Sequence, residues 1–352
     1  MKSPTCVRKA SEVNLENFGW NPHFASEFAV MSETGMEPAR VAVADRERFL
    51  VWTESGDAEA TASGRLRHRS EQWPVVGDWV TLGDGCRITH ILPRQTAFSR
   101  KHAGDTTREQ TIAANIDLLF IVTGLDGDFN LRRLERYLLL AWESGAKPIV
   151  VLNKADVCMD VAEAAAGVAT VAAGAPVLPI SAREGWGVQA LDTHLQPGRT
   201  AAFAGSSGAG KSTLVNLLLG REQQLVKEVR ADDSRGRHTT VRRELFLAPN
   251  GWLLIDTPGL RELQLWAGAG SVDTAFADIA ALAAGCRFRD CRHQGEPGCA
   301  VTASGIDQSR LANYTKLQRE LAHLDRKQDQ RAAQEEKRRI KRIHRAMRDH
   351  YR

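Results

Sequence analysis

The sequence has few cysteines and lacks long apolar runs. It contains six cysteines in 352 residues. Three of them, Cys6, Cys86 and Cys158, are scattered, which is unlike the disulfide framework of a secreted protein. No apolar run approaches a membrane span, no signal-type apolar core follows the polar start, and no internal repeat stands out. We therefore expect a monomeric cytoplasmic protein with two or three cores and no membrane partner.

The net charge of +4 is unevenly distributed along the chain. Residues 337–352 carry eight lysines and arginines and one aspartate, a net charge of +7, which leaves −3 for residues 1–336. A basic helix is commonly a solvated face, but this density of charge favours contacts with the phosphates of RNA.

A glycine-rich segment has the pattern of a phosphate-binding loop. We expect Ala201–Ala204 to form a buried strand before it and Ser212–Leu219 to form a helix after it. Glycines let successive amides turn toward a phosphate at the positive end of that helix. Lys211 is predicted to hold the β- and γ-phosphates, and the Ser212 hydroxyl to ligate magnesium. The segment consists of Gly205, Ser206, Ser207, Gly208, Ala209, Gly210, Lys211, Ser212 and Thr213.

Two other segments predict that the nucleotide carries guanine. Asn153, Lys154 and Asp156 follow an apolar, β-branched run that is typical of a parallel strand, and ligands bind at the carboxyl ends of such strands. A carboxylate at Asp156 can accept hydrogen bonds from N1 and the exocyclic N2 of guanine, which adenine does not offer. The methylene stem of Lys154 can lie on the base plane, and a backbone amide near Ser181 and Ala182 can reach O6.

Asp256 and Gly259 follow a third predicted strand. We expect Asp256 in the second coordination shell of magnesium and the Gly259 amide beside the γ-phosphate. The next residue is Leu260, where many GTPases have a glutamine that orients the attacking water. Because leucine cannot form that hydrogen bond, another group must orient the water.

The expected position of switch I is the segment between the phosphate-loop helix and the predicted strand that contains Leu245. It contains His238, Thr239 and Thr240. We assign magnesium ligation to Thr240, with Thr239 as the alternative, and orientation of the catalytic water to His238. A solvent-facing loop histidine is the other interpretation of His238.

The motifs occur in a rotated order. The guanine segments precede the phosphate loop, and Asp256 comes last, whereas an ordinary GTPase begins with the phosphate loop. The order predicts a circularly permuted G domain with a doubly wound α/β sheet and helices such as Leu131–Ser144. Its predicted strands are Ile116–Thr123, Ile149–Leu152, Val177–Ile180, Ala201–Ala204, Arg243–Leu247 and Trp252–Ile255.

Cys286, Cys291, His293 and Cys299 have the spacing of a metal site, C-x4-C-x-H-x5-C. Four such ligands can close a tetrahedral structural zinc site, so we expect one Zn²⁺ per chain, with unrelated reduced thiols as the alternative. Farther along, apolar residues at helical spacing predict a helix that packs on this domain. They are Tyr314, Leu317, Leu321 and Leu324.

The amino-terminal third has the pattern of a small barrel, either OB-type or SH3-like. Its predicted strands are Arg40–Ala44, Arg48–Thr53, Glu59–Leu66, Val75–Leu82 and Cys86–Leu92. We expect the aromatic residues upstream to pack a short helix on this barrel, namely Phe18, Trp20, Phe24 and Phe28. Cationic residues could face RNA or form plain solvated surface, namely Arg65, Arg67, His68, Arg69 and Arg94.

With these residues in view, the chain resembles the ribosome-small-subunit-dependent GTPases, the circularly permuted GTPases of bacterial small-subunit assembly. The resemblance rests on the motif order, Leu260, the zinc spacing and three stretches: Gly236–Thr240, Pro74–Val80 and Gln110–Val122. It implies an amino-terminal OB barrel, a GTPase activity stimulated by the small ribosomal subunit, and a zinc-bearing carboxyl-terminal domain.

We expect a multidomain protein: an amino-terminal extension at 1–36, an OB-like barrel at 37–104, a circularly permuted GTPase domain at 105–265, and a helical zinc-binding domain with a basic tail at 266–352. We expect it to bind GTP, GDP and Mg²⁺, to dock on the rRNA of the small ribosomal subunit, and to assist late maturation, with nucleotide state controlling association and release. The alternatives are a non-catalytic GTP-dependent RNA-binding switch and a GTPase involved in RNA modification.

Overall fold

The computed structural model describes residues 14–45, 47–69, 72–102, 105–220, 243–256, 270–323 and 326. Within these ranges the chain forms two compact units. The first contains the described residues up to Ser99 and from Thr111 to Asp256, and the second contains those between Arg100 and Gln110 and from Gly270 onward.

A short amino-terminal helix, α1 (Pro22–Met31), packs on the barrel as predicted. The side chain of Asn21 caps it by accepting hydrogen bonds from two amides of the first turn. The rings of Trp20 and Phe24 lie 4.7 and 5.8 Å from the ring of Trp79 in the barrel. This segment therefore covers one side of the barrel with aromatic surface.

Five strands close into the barrel. They are β1 (Glu37–Asp45), β2 (Arg48–Thr53), β3 (Gly56–Ala62), β4 (Trp79–Gly83) and β5 (Arg87–Ile91). Their order is β1-β2-β3-β5-β4, and β4 pairs with β1 to complete the ring. Only the β3–β5 contact is parallel, and alternating side chains fill the interior. The ring of five strands confirms the predicted small barrel, and its strand order, with β3 parallel to β5, favours the OB type over the SH3-like alternative.

The predicted strand Glu59–Leu66 is too long. β3 ends at Ala62, and a helix, α2 (Gly64–Arg69), follows it. The hydroxyl of Ser63 accepts a hydrogen bond from the Leu66 amide, which helps to begin the helix. Leu66 is buried in the barrel core, so its apolar character indicated burial correctly but not the strand.

The predicted strand Val75–Leu82 also begins too early, because β4 starts at Trp79. The buried carboxylate of Asp78 accepts a hydrogen bond from the Val75 amide at 2.8 Å and bonds the guanidinium of Arg94 at 2.7 and 2.8 Å. Gly77 has a φ of +87°. A tight turn therefore replaces the first half of the predicted strand.

The α/β sheet has the order β10-β9-β8-β11-β13-β12. Its strands are β8 (Leu118–Gly124), β9 (Lys147–Asn153), β10 (Val177–Pro179), β11 (Thr200–Ala204), β12 (Arg243–Leu247) and β13 (Leu253–Asp256). All are parallel except β12, which is antiparallel to β13. The accompanying helices are α3 (Leu131–Ser144), α4 (Val161–Ala169) and α5 (Lys211–Leu218). This sheet confirms the predicted α/β domain.

A hairpin that was not predicted from the sequence follows the barrel strands in the chain and precedes β8. β6 (Ala97–His102) and β7 (Asp105–Ala114) pair with each other in a two-stranded sheet. Their sequence is largely polar and lacks the apolar alternation on which strand prediction depends. The predicted boundary between the barrel (37–104) and the GTPase domain (105–265) falls between β6 and β7.

Barrel and α/β sheet are hydrogen-bonded to each other through β1 and β12. Val43 lies opposite Glu244, and Ala44 lies opposite Arg243, in an antiparallel ladder. Nearby, the buried guanidinium of Arg40 donates to the backbone oxygen of Asn115 at 3.1 Å, to the hydroxyl of Thr200 at 2.9 Å and to the backbone oxygen of Phe18. One side chain thus joins the amino-terminal segment, the barrel and β11.

The second unit contains three short helices, Gly270–Ala275, Ala277–Ala283 and Ala300–Ala303, and a longer helix at residues 308–323. Tyr314, Leu317 and Leu321 are buried, which confirms the predicted helical seam. Arg310 ties this helix to Asp278 by hydrogen bonds of 2.7 and 2.9 Å. Leu324 and the basic residues 337–352 lie outside the described residues. Within the described ranges no helix is long and apolar enough to cross a membrane.

Candidate nucleotide and metal sites

The phosphate loop leaves β11 at the centre of the sheet and enters α5. Gly205 has a φ of +140°, and a Cβ there would lie 2.0 Å from the carbonyl oxygen of Val122 on β8. Only glycine permits this approach. The ammonium of Lys211 donates to the carbonyl oxygens of Gly205 and Ser206 at 2.8 and 2.6 Å, so it spans the mouth of the loop. Lys211 is also the first residue of α5, whose amino-terminal amides favour an anion.

Asn153 connects the phosphate loop to both guanine segments. Its side-chain amide donates to the carbonyl oxygen of Ala209 at 2.8 Å, and its side-chain oxygen accepts from the amide of Ala182 at 2.9 Å. The side chain is only 3% exposed. Three segments that are widely separated in the chain therefore converge on one buried amide group.

Lys154 and Asp156 lie immediately after β9. The backbone of Lys154 is left-handed, with a φ of +63°, and it precedes a 3₁₀ turn that leaves Asp156 exposed to solvent. The Lys154 ammonium forms an ion pair with Asp126, in the loop after β8. This hydrogen bond holds the pKa of the Asp126 carboxyl below its usual range.

The same loop contacts the phosphate loop. The hydroxyl of Ser206 donates to the carboxylate of Asp128 at 2.6 Å, and Arg133 forms an ion pair with that carboxylate at 2.8 Å. Hydrogen bonds from Ser206 and Arg133 lower the pKa of Asp128. Sequence reasoning missed both aspartates. The sequence feature that could have identified them is a pair of carboxylates directly after the apolar run that forms β8. That strand ends beside the phosphate loop.

The other predicted nucleotide residues lie at the same edge of the sheet. Ser181 is buried and pairs with Trp186, and Asp256 ends β13, which is the parallel neighbour of β11. Ser212 is half-buried at the start of α5. Three residues of the phosphate segment are exposed, namely Ser207, Gly208 and Thr213.

The switch residues lie outside the described part of the chain. They are His238, Thr239, Thr240, Gly259 and Leu260. Their assigned roles remain predictions that depend on the sequence pattern and the resemblance.

The predicted metal ligands come together in the second unit. The ligand atoms of Cys286, Cys291, His293 and Cys299 all lie within 4.8 Å of one another. The Sγ atoms of Cys286 and Cys299 are 3.9 Å apart, and they lie 3.6 and 3.5 Å from Nδ1 of His293. Tetrahedral zinc with usual bond lengths requires sulfur–sulfur distances of about 3.8 Å and sulfur–nitrogen distances of about 3.5 Å. The donor set therefore fits Zn²⁺.

Hydrogen bonds fix the backbone around this cluster. The Glu296 carboxylate accepts from the amides of Arg292 and Gln294 at 2.9 and 2.7 Å, which shapes the turn containing His293. The Thr302 amide donates to Cys299 Sγ at 3.4 Å. Desolvation raises the pKa of the Cys299 thiol, but hydrogen bonds involving Thr302 and His293 outweigh it and lower the pKa to about 6. The neighbouring Cys291 shifts the other way: a hydrogen bond involving the His293 backbone lowers its pKa, but desolvation and hydrogen bonds with Cys299 and Cys286 raise it to about 11. The fit to a metal therefore depends on the distances between the donor atoms.

Sequence comparisons identify related proteins. The family described as RsgA GTPase matches residues 91–266, and the family described as 50S ribosome-binding GTPase matches residues 200–334. The small ribosomal subunit biogenesis GTPase RsgA of Opitutus terrae is 45% identical over 357 residues, which cover 96% of this chain and 97% of that protein. The protein of the same name from Xylella fastidiosa strain M23 is 49% identical over 294 residues, which cover 81% of this chain and 88% of that protein.

Solved structures share the fold. YjeQ from Thermotoga maritima has a TM-score of 0.62 and 23% identity, and the match covers 82% of this chain and 99% of that one. YloQ, described as a circularly permuted GTPase, has a TM-score of 0.60 and 23% identity, with 83% and 97% covered. Together with the strand order above, these likenesses confirm the circularly permuted arrangement.

Proposed function

Because the chain belongs to the RsgA GTPase family, we propose that it hydrolyses GTP on the small ribosomal subunit and assists the late maturation of that subunit. Relatives at 45% and 49% identity are named small ribosomal subunit biogenesis GTPases. The observation that carries the proposal is the convergence of the phosphate loop and both guanine segments on Asn153. The names of the relatives favour neither a non-catalytic switch nor a GTPase of RNA modification.

The proposed nucleotide site uses the residues predicted from the sequence. Lys211 and the amides of residues 205–213 bind the phosphates of GTP and GDP, and Ser212 ligates magnesium. Asp156 selects guanine, and a backbone amide near Ala182 is the candidate partner of O6, while the Ala182 amide itself donates to Asn153. The position of the Lys211 ammonium across the phosphate loop supports this assignment, because a bound phosphate would meet that charge.

The proposed chemistry depends on this chain's switch residues. Bound magnesium supplies charge neutralisation at the β- and γ-phosphates. Thr240 would contribute a hydroxyl ligand to the magnesium, Asp256 would lie in its second shell, and the Gly259 amide would contact the γ-phosphate. His238 orients the water for in-line attack, because Leu260 cannot donate or accept a hydrogen bond.

The proposed metal centre is structural and holds one Zn²⁺ per chain. Four protein ligands fill a tetrahedral shell and leave no position for a substrate. The barrel loops, the zinc domain and the basic residues 337–352 are the proposed contacts with rRNA, and nucleotide state controls how long they stay engaged. We place this activity in the cytoplasm, where small subunits mature.

Single-turnover hydrolysis with and without small ribosomal subunits tests the proposal. We expect strong stimulation by the subunit, and we expect His238→Ala to reduce the stimulated rate by about 10²–10⁴-fold while GTP affinity changes little. Lys211→Ala is the control, because it should impair nucleotide binding itself. GTP-dependent docking without stimulation would support the non-catalytic switch instead. Retention of the stimulated rate by His238→Ala would assign the water to a group supplied by the ribosome.

A further inference from the structure

We propose that Asp126, in the loop after β8, is a positioning residue of the nucleotide site that holds Lys154 where its stem can lie along the guanine base. This inference rests on the proposed function, because Lys154 belongs to the proposed guanine segment. It gives that lysine a partner that the sequence motifs do not include.

The ion pair fixes the far end of the lysine side chain. The Lys154 ammonium bonds the Asp126 carboxylate, and both side chains are about one-third exposed, at 34% and 33%. The near end is fixed by the backbone, since the Ala155 amide donates to the Ile180 carbonyl oxygen at 3.0 Å. The ion pair therefore favours the lysine rotamers that place its ammonium beside Asp126.

The Asp126 loop is itself anchored to the strand that carries Lys154. The amide of Leu125 donates to the carbonyl oxygen of Asn153 at 2.8 Å, and Gly124 lies opposite Asn153 in the β8–β9 register. A Cβ at Gly124 would lie 2.9 Å from an Asp126 carboxylate oxygen and 3.3 Å from Cδ of Lys154. The lysine stem and the carboxylate thus lie against the bare backbone of this glycine.

This arrangement lowers the entropic cost of nucleotide binding. A free lysine side chain has many rotamers, and a ligand that packs on its stem must immobilise it. An ion pair made before the nucleotide arrives removes most of that cost. Ordering one such side chain corresponds to about a two- to tenfold change in affinity.

Asp128 provides a matched control for charge. It lies in the same loop and has the same carboxylate, but its hydrogen bond and ion pair are with Ser206 and Arg133, and Lys154 acts on it only through its charge. Asp126→Asn and Asp128→Asn therefore remove equal charge near the nucleotide, and only the first releases the lysine.

A double-mutant cycle on the full chain tests the inference through its affinity for GDP. We expect Asp126→Asn to weaken GDP binding by about two- to tenfold and to have no further effect in a Lys154→Ala background, because the effects of coupled residues do not add. Asp128→Asn should add most of its effect to Lys154→Ala, because Asp128 meets the lysine only through its charge. Asp126→Glu should restore part of the lost affinity.

Additive effects of Asp126→Asn and Lys154→Ala would overturn the inference while leaving the proposed nucleotide site intact. If Lys154→Ala alone leaves GDP affinity unchanged, the guanine assignment of Lys154 fails as well, and the two failures are thus distinguishable. Thermal unfolding of each variant without nucleotide separates a loss of binding from a loss of fold.

Discussion

Gly210→Ala tests the connection between the phosphate loop and the guanine segments. Gly210 has a φ of +90°, and a Cβ there would lie 2.2 Å from the side-chain nitrogen of Asn153. That nitrogen must move, which breaks its hydrogen bond to Ala209 and disturbs the bond that Asn153 accepts from Ala182. The substitution therefore acts on all three segments through one displaced amide.

The expected loss in the free energy of unfolding of Gly210→Ala has two separable parts. Alanine at a left-handed position costs about 1–2 kcal/mol. Each buried polar group that loses its partner costs about 1–3 kcal/mol, so loss of the two hydrogen bonds of Asn153 adds about 2–6 kcal/mol. Gly208→Ala is the matched control, because Gly208 has a φ of +80° but no atom lies within 4 Å of the position that its Cβ would occupy. It should incur only the first cost.

Urea unfolding of both variants without nucleotide measures the difference in the free energy of unfolding. We expect Gly210→Ala to be less stable than Gly208→Ala by about 2–6 kcal/mol and to bind GDP more weakly. Equal stability of the two variants would refute the reasoning, because it would show that Asn153 can leave its position at no cost.

Three other changes have defined outcomes. The purified protein should contain one zinc per chain by elemental analysis, and Cys291→Ser should destabilise the carboxyl-terminal domain while GDP binding persists; protein without zinc would reject the site. Asp156→Asn should weaken GTP binding by about 2–4 kcal/mol and improve binding of xanthosine nucleotide in a titration, and unchanged GTP affinity would contradict the assignment. Arg40→Lys keeps the charge, but a lysine side chain cannot reach all three acceptors of Arg40. The free energy of unfolding in urea should therefore fall by about 1–3 kcal/mol. An unchanged value would show that one acceptor is enough.

The strands of the α/β sheet could be predicted because strands that are buried on both faces appear in the sequence as continuous apolar runs. β8 is buried at every position, and it appears in the sequence as one apolar run. The Cys/His cluster was equally accessible, since its four ligands lie within fourteen residues. Both predictions depend only on local sequence.

Contacts between distant segments could not be predicted in the same way. Asp126 lies 28 residues from Lys154, and Asp128 lies 78 residues from Ser206. They meet because β8 lies between β9 and β11, an order that no local pattern contains. The same limit applies to Arg40, a buried cation whose three acceptors come from separate parts of the chain.

The barrel is attached at the β12 edge of the α/β sheet. In the α/β sheet the phosphate-loop strand β11 is central, and β12 is the last strand on one side. An open edge there would expose unpaired amides and carbonyls, and pairing with β1 of the barrel covers part of it. β12 is also the strand that follows the predicted switch I segment. A shift of β12 along its axis must therefore be followed by β1 or must break the β1–β12 hydrogen bonds, so the barrel is connected directly to the strand that follows the predicted switch I segment.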